Sequence, residues 1–337
     1  MKRKRASARQ APAPLATKRK QGAARQSRSS GTATPAVGVV GLGIMGSAMA
    51  ANLVRGGFVV VGYDVVASRR AQLARAGGRA VGSVSAVGES ASAIVTSLPS
   101  AAALIDVAGG LAAGFQASAA ASKRPAPIVI ETSTLPIAVK EEARAILAAS
   151  GAVLLDCPLG GTGSQARVKD LVVYGSGDRA AFLRAVPVFE GFSRVHYYVG
   201  PFGAGSKIKF AGNLLVAIHN VAAAEALVLA MKAGLDPALA VQVLGDGSGS
   251  SRMLQVRGPM MASGDYLSDV TMKLDVWQKD LAVIADFART MGCPTPLFAA
   301  TIPYYVAATA ENPAQDTGAV CAVLEKLANY RRRPRRI

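Results

Sequence analysis

A change in the pattern of apolar residues near position 207 limits most strongly how this chain can fold. Before it, short runs rich in β-branched residues alternate with alanine-rich helical segments, and they predict strands over residues 37–40, 58–63, 93–97, 128–130, 153–155 and 171–174. After it, residues 207–233 predict one long helix, apolar on most faces, and further helices follow to about residue 329. Strands that alternate with helices form parallel sheets covered on both faces. The chain is therefore expected to be an α/β protein, with a parallel-rich sheet in an N-terminal domain, a long connecting helix and a C-terminal all-α domain.

The positive charge of the chain lies at its two ends. The formal net charge is +17, but residues 1–35 hold ten Lys and Arg residues and no acidic one, and the last seven residues hold five. Residues 36–330 therefore carry only about +2, a balance typical of an enzyme for small molecules. We expect a disordered basic tail over residues 1–35 and a basic tail over residues 331–337, because such a composition cannot bury a core. Nucleic acid is expected to contact the tails at most.

Cysteine and histidine are too scarce for a metal centre or a disulfide framework. Three cysteines and two histidines are scattered over the chain without the spacing of metal ligands. This usage is typical of a reducing compartment, so a cytoplasmic location is expected. No segment is expected to cross a membrane, since none is free of charged or strongly polar side chains over about 18 residues.

A glycine motif lies between the first predicted strand and the first predicted helix, residues 48–55. Its sequence is Gly41-Leu42-Gly43-Ile44-Met45-Gly46. In such a turn the first glycine permits the sharp bend, the second lets a pyrophosphate approach the backbone, and the third lets helix and strand pack closely. Backbone N–H groups at the helix N-terminus then bind the phosphates. All six residues are candidate ligands of a dinucleotide, and residues 36–199 are interpreted as an NAD(P)-binding Rossmann domain.

Asp64 lies at the end of the second predicted strand, eighteen residues after Gly46. A carboxylate at this place accepts hydrogen bonds from the adenosine ribose and repels a 2′-phosphate, which favours NAD over NADP. Arg69 and Arg70 follow closely and are able to reach a 2′-phosphate. NAD is the expected cofactor, and NADP stays open.

The glycine motif and its continuation Met49-Ala50-Ala51-Asn52-Leu53 resemble the opening of the 3-hydroxyisobutyrate dehydrogenase family, the β-hydroxyacid dehydrogenases that include tartronate semialdehyde and glyoxylate reductases. The resemblance extends over residues 36–325. It implies an NAD(P)-dependent enzyme that transfers hydride between the nicotinamide and a small 3-hydroxyacid or its oxo form. It also implies an all-α catalytic and dimerisation domain over residues 200–330, and the apolar long helix favours a homodimer or homotetramer.

Two turns after later strands resemble the family's cofactor contacts. Leu98 and Pro99 follow the strand over residues 93–97 and are similar to the Leu-Pro pair beside the nicotinamide ribose. Thr134 follows the strand over residues 128–130, and the resemblance implies that it also binds the cofactor. Both turns belong at the carboxyl edge of the sheet, where ligands bind in folds of this kind.

Residues 156–166 resemble the family's substrate-binding loop, which usually reads Asp-Ala-Pro-Val-Ser-Gly-Gly. This chain departs from that pattern, because Gly160 stands at the serine and Thr162 at the second glycine. We expect the backbone N–H groups of Gly160, Gly161 and Thr162 to bind the substrate carboxylate. Either Thr162 supplies the missing hydroxyl from a shifted place, or the pocket takes a larger or differently substituted acid.

Residues 200–213 resemble the family's glycine-rich turn and the helix that carries its catalytic lysine. Lys209 and Asn213 are four residues apart and share one helix face, whereas Lys207 points about 200° away from Lys209. The resemblance and this spacing select Lys209 as the general acid/base and Asn213 as its orienting partner or as a ligand of the substrate oxygen. Oxidation of the substrate requires a lowered pKa of Lys209, through partial burial or a cationic neighbour such as Lys279.

Lys279 and Asp280 resemble a Lys-Asp pair of the family's helical domain, so Lys279 is expected to contact cofactor or substrate across the cleft. Residues 245–251, all Gly, Ser or Asp, are expected to form a flexible loop near the cleft. Two alternatives remain. One is an imine-reductase-like relative, in which the lysine is replaced, and the other is a dehydrogenase-like binding protein whose basic tails contact nucleic acid. The retained Lys209 and Asn213 favour the hydroxyacid enzyme.

Overall fold

The computed structural model describes residues 36–119 and 125–332. The strands are β1 (Val37–Val40), β2 (Val60–Tyr63), β3 (Arg79–Ala80), β4 (Ala93–Thr96), β5 (Ile128–Glu131), β6 (Val153–Asp156), β7 (Leu159–Gly160), β8 (Val172–Gly175) and β9 (Val195–Tyr198). The helices are α1 (Ile44–Arg55), α2 (Ala67–Arg75), α3 (Val84–Ser90), α4 (Ala101–Ala119), α5 (Ile137–Ala148), α6 (Gly163–Arg167), α7 (Arg179–Phe192), α8 (Ala204–Lys232), α9 (Pro237–Asp246), α10 (Arg252–Ser263), α11 (Leu274–Thr290), α12 (Pro296–Glu311) and α13 (Val320–Leu327).

Six strands form one parallel sheet in the order β3-β2-β1-β4-β5-β6. The chain moves outward in one direction from β1 to β3 and in the other from β4 to β6, so the strand order reverses between β1 and β4. Ligands bind at such a switch point in doubly wound sheets. The expected fold class, a Rossmann sheet followed by helices, is confirmed.

A second, smaller sheet differs from the sequence expectation. β8, expected among the strands of the parallel sheet, pairs instead with β7 in antiparallel and with β9 in parallel fashion. Sequence analysis predicted neither β3 and β7, which are two residues long, nor β9, whose four residues are all only partly buried. Such strands carry no alternation of apolar and polar residues from which they could be recognised.

Apolar side chains fill both faces of the main sheet. On one face, α1 and α7 pack around the buried Met49, Leu53 and Phe189. On the other face, α3, α4 and α5 surround Ile94 and Leu111. Both faces of the sheet are therefore covered, as expected for parallel strands joined by helices.

The 29-residue α8 is the centre of the helical part. It begins at Ala204, slightly before the predicted start, and ends at Lys232 before the expected turn. The helices α9 to α13 pack around it. The predicted connecting helix is thus confirmed, whereas the predicted loop over residues 245–251 begins later, because α9 continues to Asp246.

Two helices in the described part of the chain have the length and composition of a membrane span, contrary to the expectation that no segment does. They are Ala101–Ser118 within α4 and the whole of α8. α4 packs against α3 and α5, and α8 lies among α9 to α13. These neighbours bury 39% of the apolar window in α4 and 50% of that in α8.

The predicted basic tails fall largely outside the described residues, which exclude residues 1–35 and 333–337. Arg332, assigned to the C-terminal tail from the sequence, packs against the helical part. Its guanidinium donates to the carbonyl oxygens of Met261 and Ala262 and pairs with the carboxylate of Glu325.

Candidate active site

Four loops meet at the carboxyl edge of the main sheet, because their strands are parallel neighbours. β1 leads into Gly41, β4 into Leu98, β5 into Thr134 and β6 into the loop that contains Gly160. Residues that are far apart in sequence are thereby brought to one edge of one sheet.

The three glycines of the first loop have three different environments. Gly41 has a φ of +86°, and a Cβ there would lie 2.2 Å from the carbonyl oxygen of Ser97. A Cβ at Gly46 would lie 1.8 Å from the carbonyl oxygen of Gly41, so the start of α1 touches the backbone of the loop. A Cβ at Gly43 would meet nothing within 4 Å. The fold requires the outer glycines, and the middle one leaves the backbone open to a ligand.

Free backbone donors face this opening. The N–H groups of Ile44, Met45 and Gly46 lie in the first turn of α1, where a helix offers them no acceptor of its own. Such a helix start binds anionic groups. The loop therefore fits the pyrophosphate of a dinucleotide.

Asp64 lies beside the glycine loop, directly after β2. Its carboxylate accepts hydrogen bonds from the N–H groups of Leu42 at 2.7 Å and Val66 at 2.8 Å. Arg69 pairs with the same carboxylate at 3.4 Å and is about half exposed. Arg70 donates to the backbone carbonyl of Asp64 at 2.6 Å and stacks over Tyr63. Asp64 is thus held at the strand end, with two arginines beside it.

The turns after β4 and β5 are joined to each other. The N–H of Leu98 donates to Ser133 Oγ at 2.8 Å. Leu98 is buried, whereas Pro99 is exposed. The backbone carbonyl of Thr134 accepts a hydrogen bond from Lys279 Nζ at 2.7 Å. Lys279 on α11 therefore spans from the helical part to the edge of the Rossmann sheet.

Four side chains of the helical part form one cluster beside this edge. Asn213 Nδ2 donates to Asp280 Oδ2 at 2.9 Å, and Lys279 Nζ pairs with Asp280 Oδ1 at 3.2 Å. Lys209 lies one helical turn before Asn213 and is half-buried, whereas Lys207 is exposed. The structure thus brings Lys209, Asn213, Lys279 and Asp280 together and leaves Lys207 in solvent.

The environment of Lys209 favours proton transfer. Burial lowers the pKa of its ammonium group; the Asp280 carboxylate opposes this shift, and the Lys279 ammonium adds to it. Among the residues that the structure describes, no hydrogen bond contributes to the pKa of this amine. A lowered pKa increases the fraction of neutral amine at a given pH, and the neutral amine is the form that accepts a proton.

A buried ionic network lies behind the edge of the sheet, and sequence analysis missed it. Lys140 Nζ pairs with Glu131 at 2.9 Å and with Asp156 at 2.8 Å, and all three side chains are fully buried. Burial alone would lower the pKa of Lys140, but the two carboxylates outweigh it and raise this pKa to about 12. The lysine therefore stays charged. The sequence signal was weak, since it consists of single acids at the ends of two apolar strands.

The same network positions the start of α8. Asp156 accepts hydrogen bonds from both the N–H and the Oγ–H of Ser206, each at 2.8 Å. Ser176 Oγ donates to Asp156 and accepts from the N–H of Gly205 at 3.0 Å. Lys209 lies one turn further along this helix. The ionic network thus links the Rossmann sheet to the helix that carries the candidate catalytic lysine.

The loop after β6 differs from the predicted arrangement of three free backbone donors. The N–H of Thr162 donates to Gln165 Oε1 at 3.0 Å, and its hydroxyl contacts Ser164 and Gln165 as the cap of α6. Thr162 is therefore engaged within the loop. A Cβ at Gly163 would lie 2.5 Å from Ile44 Cγ2, so this loop touches the glycine motif.

Among residues 36–119 and 125–332, no group of three or more His, Cys, Asp and Glu side chains is arranged to hold a metal ion. The arrangement found instead is a dinucleotide-binding sheet edge opposite a half-buried lysine. The fold and this edge define the class of protein, a nicotinamide-dependent dehydrogenase.

Comparison with known proteins specifies the class further. Residues 36–200 match a family model described as the NAD binding domain of 6-phosphogluconate dehydrogenase, and residues 203–324 match one described as NAD-binding of NADP-dependent 3-hydroxyisobutyrate dehydrogenase. L-Threonate dehydrogenase of Cupriavidus necator is 33% identical over 292 residues, which are 85% of this chain and 95% of that protein. Mouse mitochondrial 3-hydroxyisobutyrate dehydrogenase is 33% identical over 66% of this chain and 65% of its own length. The solved structure of Mycobacterium tuberculosis 3-hydroxyisobutyrate dehydrogenase with L-serine has a TM-score of 0.75 and 27% identity, over 87% of this chain and 99% of that one.

The chain belongs to the 3-hydroxyisobutyrate dehydrogenase family. It is an NAD(P)-dependent oxidoreductase of small hydroxyacids. The predictions of family, fold class, enzyme class and dinucleotide cofactor are confirmed. The roles of individual site residues stay predictions and are taken up below as proposals.

Proposed function

We propose that Lys209 is the general acid/base of a hydride transfer between NAD(P) and a small 3-hydroxyacid or its semialdehyde or oxo form. The observation that carries this proposal is the cluster of Lys209, Asn213, Asp280 and Lys279, tied to the sheet edge through the carbonyl of Thr134. Bound nicotinamide supplies or accepts the hydride. In reduction, the Lys209 ammonium donates a proton to the carbonyl oxygen; in oxidation, the neutral amine takes the hydroxyl proton.

The neighbours of Lys209 hold its position and tune its charge. Asn213 fixes Asp280 by the 2.9 Å hydrogen bond, and Asp280 in turn pairs with Lys279. Lys279 places a second positive charge near Lys209, which lowers the pKa of the latter. We assign Asn213 to positioning and Lys279 to the cofactor side of the cleft, where it already reaches Thr134.

The substrate side of the proposal rests on the loop from Gly160 to Thr162. The structure commits the N–H of Thr162 to Gln165. The N–H of Gly161, whose φ is +130°, is left as the backbone donor for a substrate carboxylate. Gly41 to Gly46, Leu98, Pro99 and Thr134 would hold the dinucleotide. Asp64 favours NAD, because its carboxylate would repel a 2′-phosphate.

The decisive experiment replaces Lys209 by Ala. Turnover is expected to fall by about two or more orders of magnitude, as for loss of a general acid/base, while NADH binding stays nearly intact. Absorbance of the reduced nicotinamide measures turnover over a panel of short 2- and 3-hydroxyacids and their oxo forms, with NADH and NADPH in parallel. Fluorescence titration measures NADH binding.

Lys207→Ala is the matched control, because Lys207 lies on the same helix but is exposed. It should retain wild-type turnover. Substantial turnover of the Lys209→Ala protein would remove Lys209 from the proposed role. If the chain acted instead like an imine reductase, a class in which this lysine is replaced, Lys209→Ala and Lys207→Ala should have similar turnover.

We further propose a cytoplasmic homodimer or homotetramer with domains at residues 36–199 and 200–330. Exposed apolar side chains on the helical part support self-association; they include Leu215, Leu229, Leu239, Val243, Leu297 and Val306. Light scattering after gel filtration measures the subunit number.

Contact of residues 1–35 with nucleic acid is tested by measuring DNA binding with and without this segment. If the tail binds DNA, the affinity should fall steeply as the salt concentration rises, and truncation should remove this salt dependence.

A further inference from the structure

The departure of this chain from the family's substrate loop is matched by a side chain from another strand. A Cβ built on Gly160 would lie 2.5 Å from Tyr174 Oη and 3.0 Å from Tyr174 Cζ. Gly160 pairs with Val172 across the small sheet, and Tyr174 follows two residues later on the same face. The Tyr174 hydroxyl therefore occupies the space into which a serine side chain at position 160 would project.

Among the residues that the structure describes, none forms a hydrogen bond with the Tyr174 hydroxyl, unlike the hydroxyls of two other tyrosines. Tyr198 Oη donates to Gly177 at 2.9 Å and Tyr305 Oη donates to Ala217 at 3.0 Å. No hydrogen bond to the described residues enters the pKa of Tyr174, which burial raises above its usual value. A half-buried phenol that stays protonated is a hydrogen-bond donor at neutral pH.

Tyr174 also lies at the start of the catalytic helix. A Cβ on Gly205 would lie 2.2 Å from the backbone carbonyl oxygen of Tyr174, so β8 touches the first turn of α8. Lys209 follows four residues later, which is about one helical turn. On the other side, Gly163 touches Ile44 of the glycine motif. The chain around Gly160 thus touches the cofactor loop at Gly163, and the strand of Tyr174 touches the first turn of the helix that carries Lys209.

The hydroxyl of Thr162, the other candidate to replace the missing serine hydroxyl, already has hydrogen-bond partners. Thr162 Oγ1 lies 2.9 Å from Ser164 Oγ and 3.3 Å from Gln165 Oε1 within the cap of α6. A carboxylate ligand binds most strongly to donors that are free before it arrives, because no existing bond is lost. Tyr174 meets this condition and Thr162 does not.

We propose that Tyr174 Oη donates a hydrogen bond to the substrate carboxylate, taking the place of the serine hydroxyl that Gly160 lacks. This inference rests on the proposed function and names the substrate class of the site, a short hydroxyacid with a free carboxylate in place of an ester or amide. Tyr174 is then a residue that determines specificity, supplied by β8 and not by the loop.

The test compares Tyr174→Phe with Tyr197→Phe. Tyr197 pairs with Tyr174 in the neighbouring strand and is also partly buried. Loss of the Tyr174 hydroxyl should raise the KM for the hydroxyacid about tenfold or more, the effect of a hydrogen bond to a charged group, with a much smaller change in kcat. Tyr197→Phe should leave both constants unchanged. An unchanged KM in Tyr174→Phe would overturn the proposal.

Calorimetric titration of 3-hydroxypropionate into the enzyme with NADH bound provides a readout independent of turnover. Weaker binding to Tyr174→Phe alone would support the proposal even if Lys209→Ala retained activity, so the two proposals can fail separately. Equal binding to both tyrosine variants and the wild type would overturn it.

A second pair of variants tests whether positions 160 and 174 share one space. Tyr174→Ala should raise the KM, and adding Gly160→Ser to it should lower the KM again, because the serine then fills the vacated place with a hydroxyl. Gly160→Ser alone should raise the KM by displacing the tyrosine ring. A double variant no better than Tyr174→Ala would contradict the shared space and with it the proposal.

Discussion

The cofactor loop and the substrate loop lie side by side, but they bind by different means. In the cofactor loop, residues 41–46, the binding groups are backbone N–H groups at a helix start, and the glycines are needed for bends and close contacts. In the substrate loop, residues 156–166, we propose that the backbone N–H of Gly161 is joined by a side-chain hydroxyl from another strand, that of Tyr174 on β8. Binding by backbone groups requires a local sequence motif. A binding side chain, in contrast, can come from any neighbouring strand, so it need not belong to a motif.

The largest effect is expected behind the substrate loop, where Asp156 at its start ties the main sheet to α8. Lys140→Met would leave the buried carboxylates of Glu131 and Asp156 without their cation. Breaking a buried ion pair in this way costs about 3–5 kcal/mol of the free energy of unfolding. Urea denaturation measures the loss.

Lys207→Met is the control for Lys140→Met, because it removes an exposed lysine. It should change the free energy of unfolding by less than about 0.5 kcal/mol. Equal stability of the two variants would show that the network does not hold the sheet to α8.

A second test separates the glycines of the cofactor loop. Gly46→Ala places a Cβ 1.8 Å from a carbonyl oxygen and should cost about 1–3 kcal/mol of stability, together with NADH affinity. Gly43→Ala meets no protein atom within 4 Å, so it should leave stability unchanged and weaken only NADH binding. Thermal unfolding with and without NADH distinguishes the two. Loss of stability in Gly43→Ala would mean that this glycine serves the fold and not the ligand.

The smallest effect concerns the charge around Lys209. In the oxidative direction, turnover should rise with pH as Lys209 loses its proton, and the midpoint reports its pKa. The Lys279 ammonium lowers this pKa and the Asp280 carboxylate raises it. Lys279→Met removes the positive charge and leaves the Asp280 carboxylate without this partner. The midpoint of the pH profile should therefore move to higher pH by about one unit or less.

The pH profile of kcat measures this shift, and the control replaces the exposed Lys273, at the N-cap of the same helix, by Met. A shift to lower pH in Lys279→Met would contradict the proposed electrostatics. No shift in either variant would show that the titrating group is not Lys209.

The described fold follows the sequence closely where an apolar run is buried or long. Residues 37–40 read as a strand and form β1, and the apolar run predicted as a helix over residues 207–233 forms most of α8. Prediction failed for β3 and β7, which are two residues long, and for β9, which is only partly buried. β7 and β9 are strands because each pairs with β8, which lies between them, and no local sequence pattern predicts this pairing.

The candidate site shows the same division. The glycine motif and Asp64 were recognisable because each stands at a fixed spacing from a helix or strand end. Lys209 and Asn213 were selected by their resemblance to the family's catalytic helix, together with their spacing of four residues. The buried Lys140 was not recognisable, because its partners Glu131 and Asp156 lie on two separate strands. The backbone N–H of Thr162 was expected to bind the substrate carboxylate, but it donates a hydrogen bond to the side chain of Gln165.

The sequence by itself determined the alternation of strands and helices, the dinucleotide turn and the family, since these depend on local spacing and on backbone geometry. Only the tertiary structure decided what lies beside Gly160, which charges surround Lys209 and how the sheet holds α8. Those contacts join residues that are far apart along the chain, and their energies depend on burial and distance, which no linear pattern contains.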